Sequence, residues 1–415
     1  MNEIRIVELF AGVGGFSVGF NQSNKDNNAL FYKTVWYNQW EPSTKKQDAY
    51  EIYARKLDKG DGFSNTNIYD VPTEHIDQYS YNMLVGGFPC QNYSVATSAS
   101  KAKGIEGEKG VLWWQIYRIL DEAKNRPDFL LLENVDRLIN SPSSQRGRDF
   151  AIILASLSDL GYTVEWRVLN AAEYGFPQRR KRIYILAYKN GSVMQKTIGE
   201  LQTWVLNEGV MAKAFPAETD KKGKVSVFEI EGDLVEISKN FNANVKITPF
   251  GDAGVMRNRK VFSVDTIPAY NGHFKTLGDV LLPLKDVPRD FIVPEKEVAQ
   301  WQFLKGAKTL KRINKEGFEY NYSEGSMAFP DYLDRASRTI ITAEGGASPS
   351  RFKHIILQDG VYRRLTPVEL ERLNMFPDNH TEGASDTRRA FLMGNALVCG
   401  IVTDIANELY RRLKD

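Results

Sequence analysis

Short apolar runs alternate with helical patterns along the first 190 residues. The pattern predicts six strands, and the first ends in the glycine-rich turn at residues 11–15. These strands are predicted at residues 4–10, 33–37, 83–87, 129–132, 163–169 and 182–187. Helices are predicted between them, among others at 113–124 and 149–160. Such alternation predicts an α/β fold with a parallel, doubly wound sheet.

The regular alternation ends after Tyr188. Residues 191–350 contain scattered glycine and proline, short β-like pieces at 225–230 and 245–248, and long polar connections. Helical patterns return at 367–374 and 394–413. We therefore predict a sheet domain over 1–190, completed by 385–415, and a smaller, loop-rich domain over 191–384.

Composition excludes several classes of protein. The chain has 415 residues, of which 42% are hydrophobic and 26% are charged, as in a globular enzyme of two domains. No run of eighteen apolar residues predicts a membrane span, and the N-terminus lacks a secretion signal. The two cysteines, Cys90 and Cys399, cannot form a disulfide framework and form no metal-site pattern with the four histidines. We expect a cytoplasmic protein without a metal.

Charge alone does not identify a partner. The net charge is only +2, so any nucleic-acid interaction must come from where the basic residues lie. The run Gln-Arg-Arg-Lys-Arg at 178–182 and the basic residues between 351 and 364 are the two candidates. Taken alone, either is most simply a solvated surface.

Two motifs place chemistry where predicted strands end. Residues 10–15 read Phe-Ala-Gly-Val-Gly-Gly and open a helix, so the backbone N–H groups there can approach a ligand. This turn is only a near match to the dinucleotide motif, and it leaves a dehydrogenase open. Residues 86–91 read Gly-Gly-Phe-Pro-Cys-Gln. A lone cysteine is usually a small buried residue, but Cys90 follows Pro89 at a strand-to-loop break, which favours a nucleophile.

A carboxylate and a group of arginines follow later in the chain. Glu133, in Leu-Glu-Asn-Val at 132–135, comes directly after an apolar strand. It is either an ordinary exposed charge or, if enclosed, a general acid. The arginines of 178–182 precede another strand, and their forked guanidinium groups can hold an anionic substrate beside Glu133.

Taken in order, six motifs resemble those of the DNA cytosine-5 methyltransferases. They are Glu-Leu-Phe-Ala-Gly-Val-Gly-Gly at 8–15, Gly-Phe-Pro-Cys-Gln at 87–91, Glu-Asn-Val at 133–135, Gln-Arg-Arg-Lys-Arg at 178–182, Arg-Leu-Thr-Pro at 364–367 and Gly-Asn at 394–395. The resemblance covers nearly the whole chain apart from about 190–340. It implies a Rossmann-like domain that binds S-adenosylmethionine, a target-recognition domain over 191–384, and double-stranded DNA as the partner.

The resemblance also implies roles for single residues. Cys90 is the nucleophile that attacks carbon 6 of cytosine, Glu133 holds ring nitrogen 3 and the exocyclic amine, and Arg180 and Arg182 lie beside the flipped nucleotide. Carbon 6 is a poor electrophile and carbon 5 is unreachable in stacked DNA, so an activated thiolate and base flipping are both needed. The residues expected to face DNA are Gln91, Ser94, Gln178 and Arg179, with 95–109 as a mobile loop. The residues expected to contact the cofactor are Phe10, Ala11, Gly12, Gly14, Gly15, Gln39, Trp40, Asn67, Ile68, Pro89 and Asn395.

Three positions depart from the pattern of this family. Gln39 stands where an acidic residue often binds the cofactor ribose, and Asn67 stands where an aspartate often binds the adenine amine. The motif after Asn395 lacks its usual hydroxyl residue. Amides can bond to the same groups, and Glu41 is an alternative for the ribose. Trp40 is either an adenine contact or a core aromatic.

The resemblance favours a bacterial or phage modification enzyme that is a monomer, with a cognate restriction endonuclease as an expected partner. The transfer-RNA branch of the family carries a Cys-Phe-Thr tag, which this sequence lacks. A non-catalytic DNA-binding regulator would have lost the Pro-Cys pair or Glu133, and both are present. The target sequence stays open. Three Thr-aliphatic pairs are candidates for reading it, at 276–277, 309–310 and 339–340.

Overall fold

The computed structural model describes residues 1–57, 62–88, 112–314 and 317–414. The chain forms two compact units. The first, called the sheet unit, comprises Met1–Tyr174, Lys181–Gly272 and Cys399–Asp415. The second unit comprises Gly175–Arg180 and His273–Val398.

Strands are distributed over both units. In chain order they are β1 (Ile4–Leu9), β2 (Tyr32–Asn38), β3 (Gly62–Ser64), β4 (Met83–Gly87), β5 (Phe129–Val135), β6 (Tyr162–Asn170), β7 (Lys181–Lys189), β8 (Ala217–Thr219), β9 (Val225–Glu229), β10 (Ala253–Arg257), β11 (Lys260–Val264), β12 (Thr266–Pro268), β13 (Lys308–Ile313), β14 (Glu319–Glu324), β15 (Ile355–Gln358) and β16 (Val361–Arg364). All six strands expected in the first 190 residues are present, each within two or three residues of its predicted bounds. The piece expected at 245–248 is irregular instead.

Helices follow the same order. They are α1 (Gly15–Asp26), α2 (Asp48–Lys56), α3 (Thr73–Asp77), α4 (Trp113–Glu122), α5 (Arg148–Asp159), α6 (Val193–Lys196), α7 (Leu201–Thr203), α8 (Val210–Ala214), α9 (Leu234–Asn240), α10 (Glu295–Lys305), α11 (Pro367–Leu373), α12 (Asp386–Asn395) and α13 (Cys399–Lys414). The helical pattern at 394–413 is therefore interrupted at residues 396–398. Among the described residues, no single helix is long and apolar enough to cross a membrane; the consecutive α12 and α13 pass that test only as a bent pair.

The sheet unit contains a mixed sheet of ten strands, in the order β3-β2-β1-β4-β5-β7-β6-β10-β11-β9. Strands β3, β2, β1, β4 and β5 are parallel, as the sequence predicts. Strand β7 lies antiparallel between β5 and β6, so the sheet is not purely parallel. The centre of β5, Leu130–Leu132, is fully buried, which is typical of a sheet covered on both faces. The carboxyl ends of the parallel strands share one edge, where open sheets bind ligands.

The boundary predicted at residue 190 differs from the observed one. Strand β10 pairs antiparallel with β6, and β11 and β9 continue the same sheet, so residues 191–272 belong to the sheet unit. The reason is hydrophobic burial, since Val255, Met256 and Val261 are at most 1% exposed. At the other end, residues 385–398 belong to the second unit.

The second unit has little regular sheet. It contains two hairpins, β13–β14 and β15–β16, with α10, α11 and α12. A small core of Val293, Trp301 and Ile355 packs α10 against β15. Helix α11 begins with a capping box, in which Thr366 and Glu369 satisfy each other's backbone N–H groups. This second unit is the smaller of the two, and the domain bounds expected from the sequence stay a prediction.

Candidate active site

The glycine turn after β1 has a backbone that few residues can adopt. Phe10, Gly12 and Gly14 have φ angles of 54°, 56° and 84°, in the left-handed region. The turn is closed by a hydrogen bond from the Gly14 N–H to the Ala11 carbonyl, 2.8 Å long. A Cβ on Gly12 would have nothing within 4 Å, so that residue faces open space. The turn therefore offers a ligand an unobstructed approach to the start of α1, where Gly15 is the first residue.

Gln39, at the end of β2, supports this turn. Its side-chain oxygen accepts a hydrogen bond of 2.7 Å from the Gly12 N–H. This partner was not foreseen from the sequence, which assigned the amide to the cofactor ribose. Glu41, the alternative for the ribose, accepts from the Ala49 N–H in the first turn of α2 at 3.2 Å. Both acceptors thus have structural partners in the free protein.

Trp40 and Asn67 follow the neighbouring strands β2 and β3. The indole of Trp40 is 38% exposed, which rules out the core-aromatic alternative. The Asn67 side-chain oxygen accepts from the Tyr69 N–H at 3.3 Å, and Ile68 beside it is buried. An open glycine turn, an exposed indole and an amide at adjacent strand ends fit a bulky ligand with an aromatic base, as S-adenosylmethionine is.

Glu133 and Arg182 form an ion pair at the ends of β5 and β7. The Arg182 Nε lies 2.9 Å from Glu133 Oε1, and the two side chains are 19% and 14% exposed. The antiparallel register explains the contact, because Arg182 pairs with Val135, two residues from Glu133 on the same face. Gly87 on β4 pairs with Glu133, and a Cβ there would lie 3.2 Å from its other oxygen. A carboxylate in this orientation can accept hydrogen bonds from an amine and from a protonated ring nitrogen.

Asn134 fixes the chain that leads into the predicted nucleophile loop. Its side-chain amide donates to the Phe88 carbonyl at 2.8 Å, and both residues are 2% exposed. Phe88 also packs against Trp113 at the start of α4, with ring centroids 5.6 Å apart. The sequence analysis named Asn134 only as part of the Glu-Asn-Val motif. Its position directly after an apolar strand was the one feature that could have indicated a buried structural role.

The predicted residues Pro89, Cys90, Gln91 and Ser94, with the loop at 95–109, lie outside the described residues. Their assignments stay predictions.

The basic segment at 178–182 is divided between the units. Gln178 is fully buried, and its amide donates to the Asn374 side chain at 2.7 Å and the Leu373 carbonyl at 3.3 Å. Its oxygen accepts from the Ile340 N–H at 3.0 Å. The expectation that Gln178 faces DNA is therefore corrected: its amide holds the second unit together. Arg179 is exposed, as a phosphate contact requires.

Two further predicted residues belong to the second unit. Arg180 is 3% exposed and its guanidinium donates to the Gly394 carbonyl at 3.0 Å and the Ile340 carbonyl at 3.4 Å. These contacts give Arg180 a structural role, whereas its catalytic role stays a prediction. Asn395 is exposed at the end of α12.

The three Thr-aliphatic pairs have different environments. Thr276 bonds to Asp279 and Leu277 is fully buried, while Thr339 donates to the Arg179 carbonyl and Ile340 is 1% exposed. Thr309 and Leu310 lie on β13, and Leu310 is 38% exposed. Of these pairs, the one on the hairpin has its aliphatic member exposed.

Comparisons with known proteins agree with this geometry. Residues 4–411 match the family model described as C-5 cytosine-specific DNA methylase. The chain is 45% identical over 412 residues to the Type II methyltransferase M.Sau3AI of Staphylococcus aureus, covering 99% of this chain and 96% of that protein. It is 33% identical over 458 residues to M.NlaIV of Neisseria lactamica, covering all of both chains.

Solved structures show the same fold at low identity. A crystal structure of the S. pombe Dnmt2 methyltransferase matches with a TM-score of 0.60 and 16% identity, covering 100% of both chains. The Entamoeba histolytica methyltransferase EhMeth matches with a TM-score of 0.61 and 14% identity, again over 100% of both chains. With the family model spanning nearly its whole length, the chain belongs to the C-5 cytosine-specific DNA methylase family and is a DNA cytosine-5 methyltransferase.

Proposed function

We propose that this chain is the modification enzyme of a Type II system, which methylates one specific sequence in double-stranded DNA through a covalent adduct on Cys90. The observation that carries the proposal is the Glu133–Arg182 ion pair beside Gly87, on the strand that runs into Phe88-Pro89-Cys90. A largely enclosed carboxylate beside the strand that precedes the proposed nucleophile fits addition to cytosine.

The residues divide the reaction between them. The Cys90 thiolate bonds to carbon 6 of the flipped cytosine, and the electron pair of the double bond moves toward carbon 5. Glu133 holds ring nitrogen 3 and the exocyclic amine, and Arg182 orients that carboxylate and contacts the base carbonyl. Bound S-adenosylmethionine supplies the methyl group. After methyl transfer, the carbon 5 proton passes to solvent water as the base, its electron pair reforms the double bond between carbons 5 and 6, and the carbon 6–sulfur bond breaks to release Cys90 as a thiolate.

The cofactor is held by the carboxyl ends of three adjacent parallel strands. The glycine turn after β1 receives its amino-acid part, and Trp40 packs on the adenine. Because the Asn67 oxygen is engaged by the Tyr69 N–H, its amide donates to an adenine ring nitrogen. Gln39 acts on the cofactor through Gly12. The cofactor roles of Pro89 and Asn395 rest on the family resemblance alone.

Target reading is assigned to the hairpin β13–β14. A two-stranded ribbon fits the major groove of DNA, and five of the six β13 residues are exposed. The Arg312 guanidinium stacks on Tyr322, 3.7 Å from the ring centroid, and the hydroxyls of Thr309 and Ser323 are 3.1 Å apart. Arginine and hydroxyl groups are among the side chains that read base edges.

The direct test is trapping. Incubation with S-adenosylmethionine and DNA that carries 5-fluorocytosine should give a covalent complex, because the fluorine cannot leave as a proton does. Bisulfite sequencing of a host genome that expresses the protein should then show one methylated sequence. Methylation of transfer RNA but not DNA, or no methylation of either, would refute the proposal.

We further propose that the enzyme is monomeric, cytoplasmic and paired with a restriction endonuclease.

A further inference from the structure

Glu8 on β1 is a fully buried carboxyl group that the reaction does not use. Its Oε2 accepts from the Ser17 hydroxyl at 2.5 Å and from the Tyr53 hydroxyl at 2.9 Å. The two hydroxyls are 2.6 Å apart, and Ser17 also lies 2.8 Å from the Thr34 hydroxyl on β2. One carboxyl group thereby joins β1, α1, α2 and β2.

The network lies directly under the glycine turn. Gly14, the residue before α1, has no side chain to cap the helix, and the N–H groups of Phe16 and Ser17 face the Glu8 carboxyl group. The Glu8 Oε1 atom is buried without a hydrogen-bond partner among the described residues, so these N–H groups act on the carboxylate through their partial positive charge.

Tyr53 connects the Glu8 network to the glycine turn. A Cβ on Gly14 would lie 2.2 Å from Leu57 Cδ1 and 2.9 Å from Cδ2 and Cε2 of the Tyr53 ring, so the turn packs on both side chains. The Tyr53 ring also stacks on Tyr37, at a centroid distance of 3.8 Å. Tyr37 on β2 is followed in the sequence by Asn38, which ends the strand, and then by Gln39 and Trp40. One phenol ring therefore supports two segments that are proposed to hold the cofactor.

The groups around Glu8 are neutral or acidic. Burial raises the pKa of Glu8 to about 7, although hydrogen bonds from Ser17 and Tyr53 lower it. Burial, with Glu8 itself, raises the pKa of Tyr53 on α2 and of Cys399 on α13, and Tyr37 on β2 acts on Tyr53 in the same direction. In the described part of the chain, no lysine or arginine forms an ion pair with Glu8.

We infer that Glu8 is a positioning residue, whose carboxylate fixes the glycine turn through Ser17 and Tyr53 in the shape that binds the cofactor. The inference rests on the proposed cofactor role of that turn. The Phe16 and Ser17 N–H groups can only donate, and both hydroxyls can donate to an ionised Glu8, whereas a neutral carboxyl group would turn one of the hydroxyls into an acceptor. Ionisation of Glu8 therefore strengthens cofactor binding.

The folded state responds to pH in the opposite direction. Because its pKa is raised by folding, Glu8 favours the folded protein fully below the pKa of an unfolded glutamate, near 4.5, and this contribution is lost as pH rises through about 7. Between pH 5.5 and 8, affinity for cofactor should thus rise while this contribution to stability falls. A residue with only a structural role would not produce the first of these slopes.

The experiment compares wild type, Glu8→Gln and Tyr53→Phe by calorimetric titration with S-adenosylhomocysteine and by thermal unfolding, from pH 5.5 to 8. Wild-type affinity should rise severalfold across the range, and Glu8→Gln should be weaker at pH 8 and independent of pH. Tyr53→Phe keeps the ring and removes one donor, so it should bind roughly 2- to 10-fold more weakly at pH 8. Turnover at saturating cofactor should stay within about twofold, whereas KM for the cofactor rises.

Asp404→Asn is the matched control. Asp404 on α13 is a partly buried carboxyl group, and burial raises its pKa to about 7, but its acidic neighbour is Asp26, which ends α1 far from the turn. It should alter the pH dependence of unfolding and leave the binding profile unchanged. A folded Glu8→Gln protein with the wild-type binding profile would overturn the inference, as would wild-type affinity in Tyr53→Phe if Glu8→Gln does not fold. Wild-type protein that binds no S-adenosylhomocysteine would instead overturn the proposed function.

Discussion

The two units hold their candidate functional groups in different ways. In the sheet unit, Glu133 follows three fully buried leucines and is fixed by strand register and by Arg182. In the second unit, the hairpin β13–β14 is exposed along most of its length, with Leu310, Ile313 and Tyr320 between 38% and 67% exposed. Catalysis tolerates little displacement of the reacting groups, so catalytic residues are best placed at the ends of buried strands. A surface that reads sequence can change side chains without disturbing a core.

The comparison predicts that substitutions in the sheet unit change the rate, and that substitutions on the hairpin change which DNA is used. It also predicts which measurements stay constant in each case. Four predictions test this division, beginning with the largest effect.

Cys90→Ala should abolish methylation, by at least about 10³-fold in turnover, because no other group can form the adduct with carbon 6. Trapping on 5-fluorocytosine DNA should disappear as well. Titration with S-adenosylhomocysteine should show nearly unchanged affinity. Cys399→Ala is the control, because Cys399 is buried on α13 and burial raises its thiol pKa. The Cys399→Ala variant should still form the covalent complex with 5-fluorocytosine DNA. An active Cys90→Ala enzyme would refute the proposed mechanism.

Glu133→Gln and Arg182→Met should lower turnover by about 10² to 10³, the usual loss for one contact that stabilises charge in a transition state. The two losses should not add, because the side chains are ion-paired at 2.9 Å. Asp128→Asn is the matched control. Asp128 pairs with Lys189 at 2.7 Å, at the opposite end of the same two strands. Weaker cofactor binding with unchanged turnover in Glu133→Gln would contradict the assignment.

Arg312→Ala should lower kcat/KM on the methylated sequence by roughly 5- to 150-fold, equivalent to about 1–3 kcal/mol, and relax the preference at one base pair. Lys285→Ala changes another exposed basic residue of the second unit and should leave the preference as it is. Exchanging residues 308–324 for the hairpin of a relative should move the methylated sequence. An active chimera that keeps the original target would place readout elsewhere in 273–398.

The sequence predicted the sheet unit well where strands are buried. Apolar runs such as 129–132 and 183–187 are typical of a central strand and fit few other structures. The order of the motifs along the chain identified Glu133 as a candidate site residue. It did not predict that β7 lies antiparallel between β5 and β6, because both orientations give the same apolar run. It also missed that 253–264 joins the sheet, since pairing with β6 depends on contacts distant in sequence.

The assignment of Gln178 was wrong for a physical reason. Gln178 was assigned to DNA from its place in a motif, yet the structure gives its amide partners inside the protein, and the Gln39 oxygen likewise has an internal partner. A motif shows that a residue type is needed at a position, but a buried amide supporting a backbone and an exposed one binding a ligand look alike in sequence. Burial distinguishes them, and burial is a property of the folded chain.

The smallest effect concerns Trp40 and Gln39, which lie side by side after β2. Trp40→Ala should weaken cofactor binding by about 1 kcal/mol more than Gln39→Ala, or roughly fivefold in affinity, because an exposed indole loses direct packing on adenine. Gln39→Ala should cost only the bond to the Gly12 N–H, one neutral hydrogen bond acting through the turn.

A third variant separates the two ways in which Gln39 can act. Gln39→Glu keeps an oxygen for the Gly12 N–H, 2.7 Å away in the present structure, so a role in shaping the turn predicts affinity close to wild type. If the amide N–H groups of Gln39 met the cofactor instead, the glutamate would lose those donors and bind as weakly as alanine. Calorimetric titration of the three variants with S-adenosylhomocysteine decides between these outcomes. A larger loss for Gln39→Ala than for Trp40→Ala would show that the turn, rather than the indole, supplies most of the affinity.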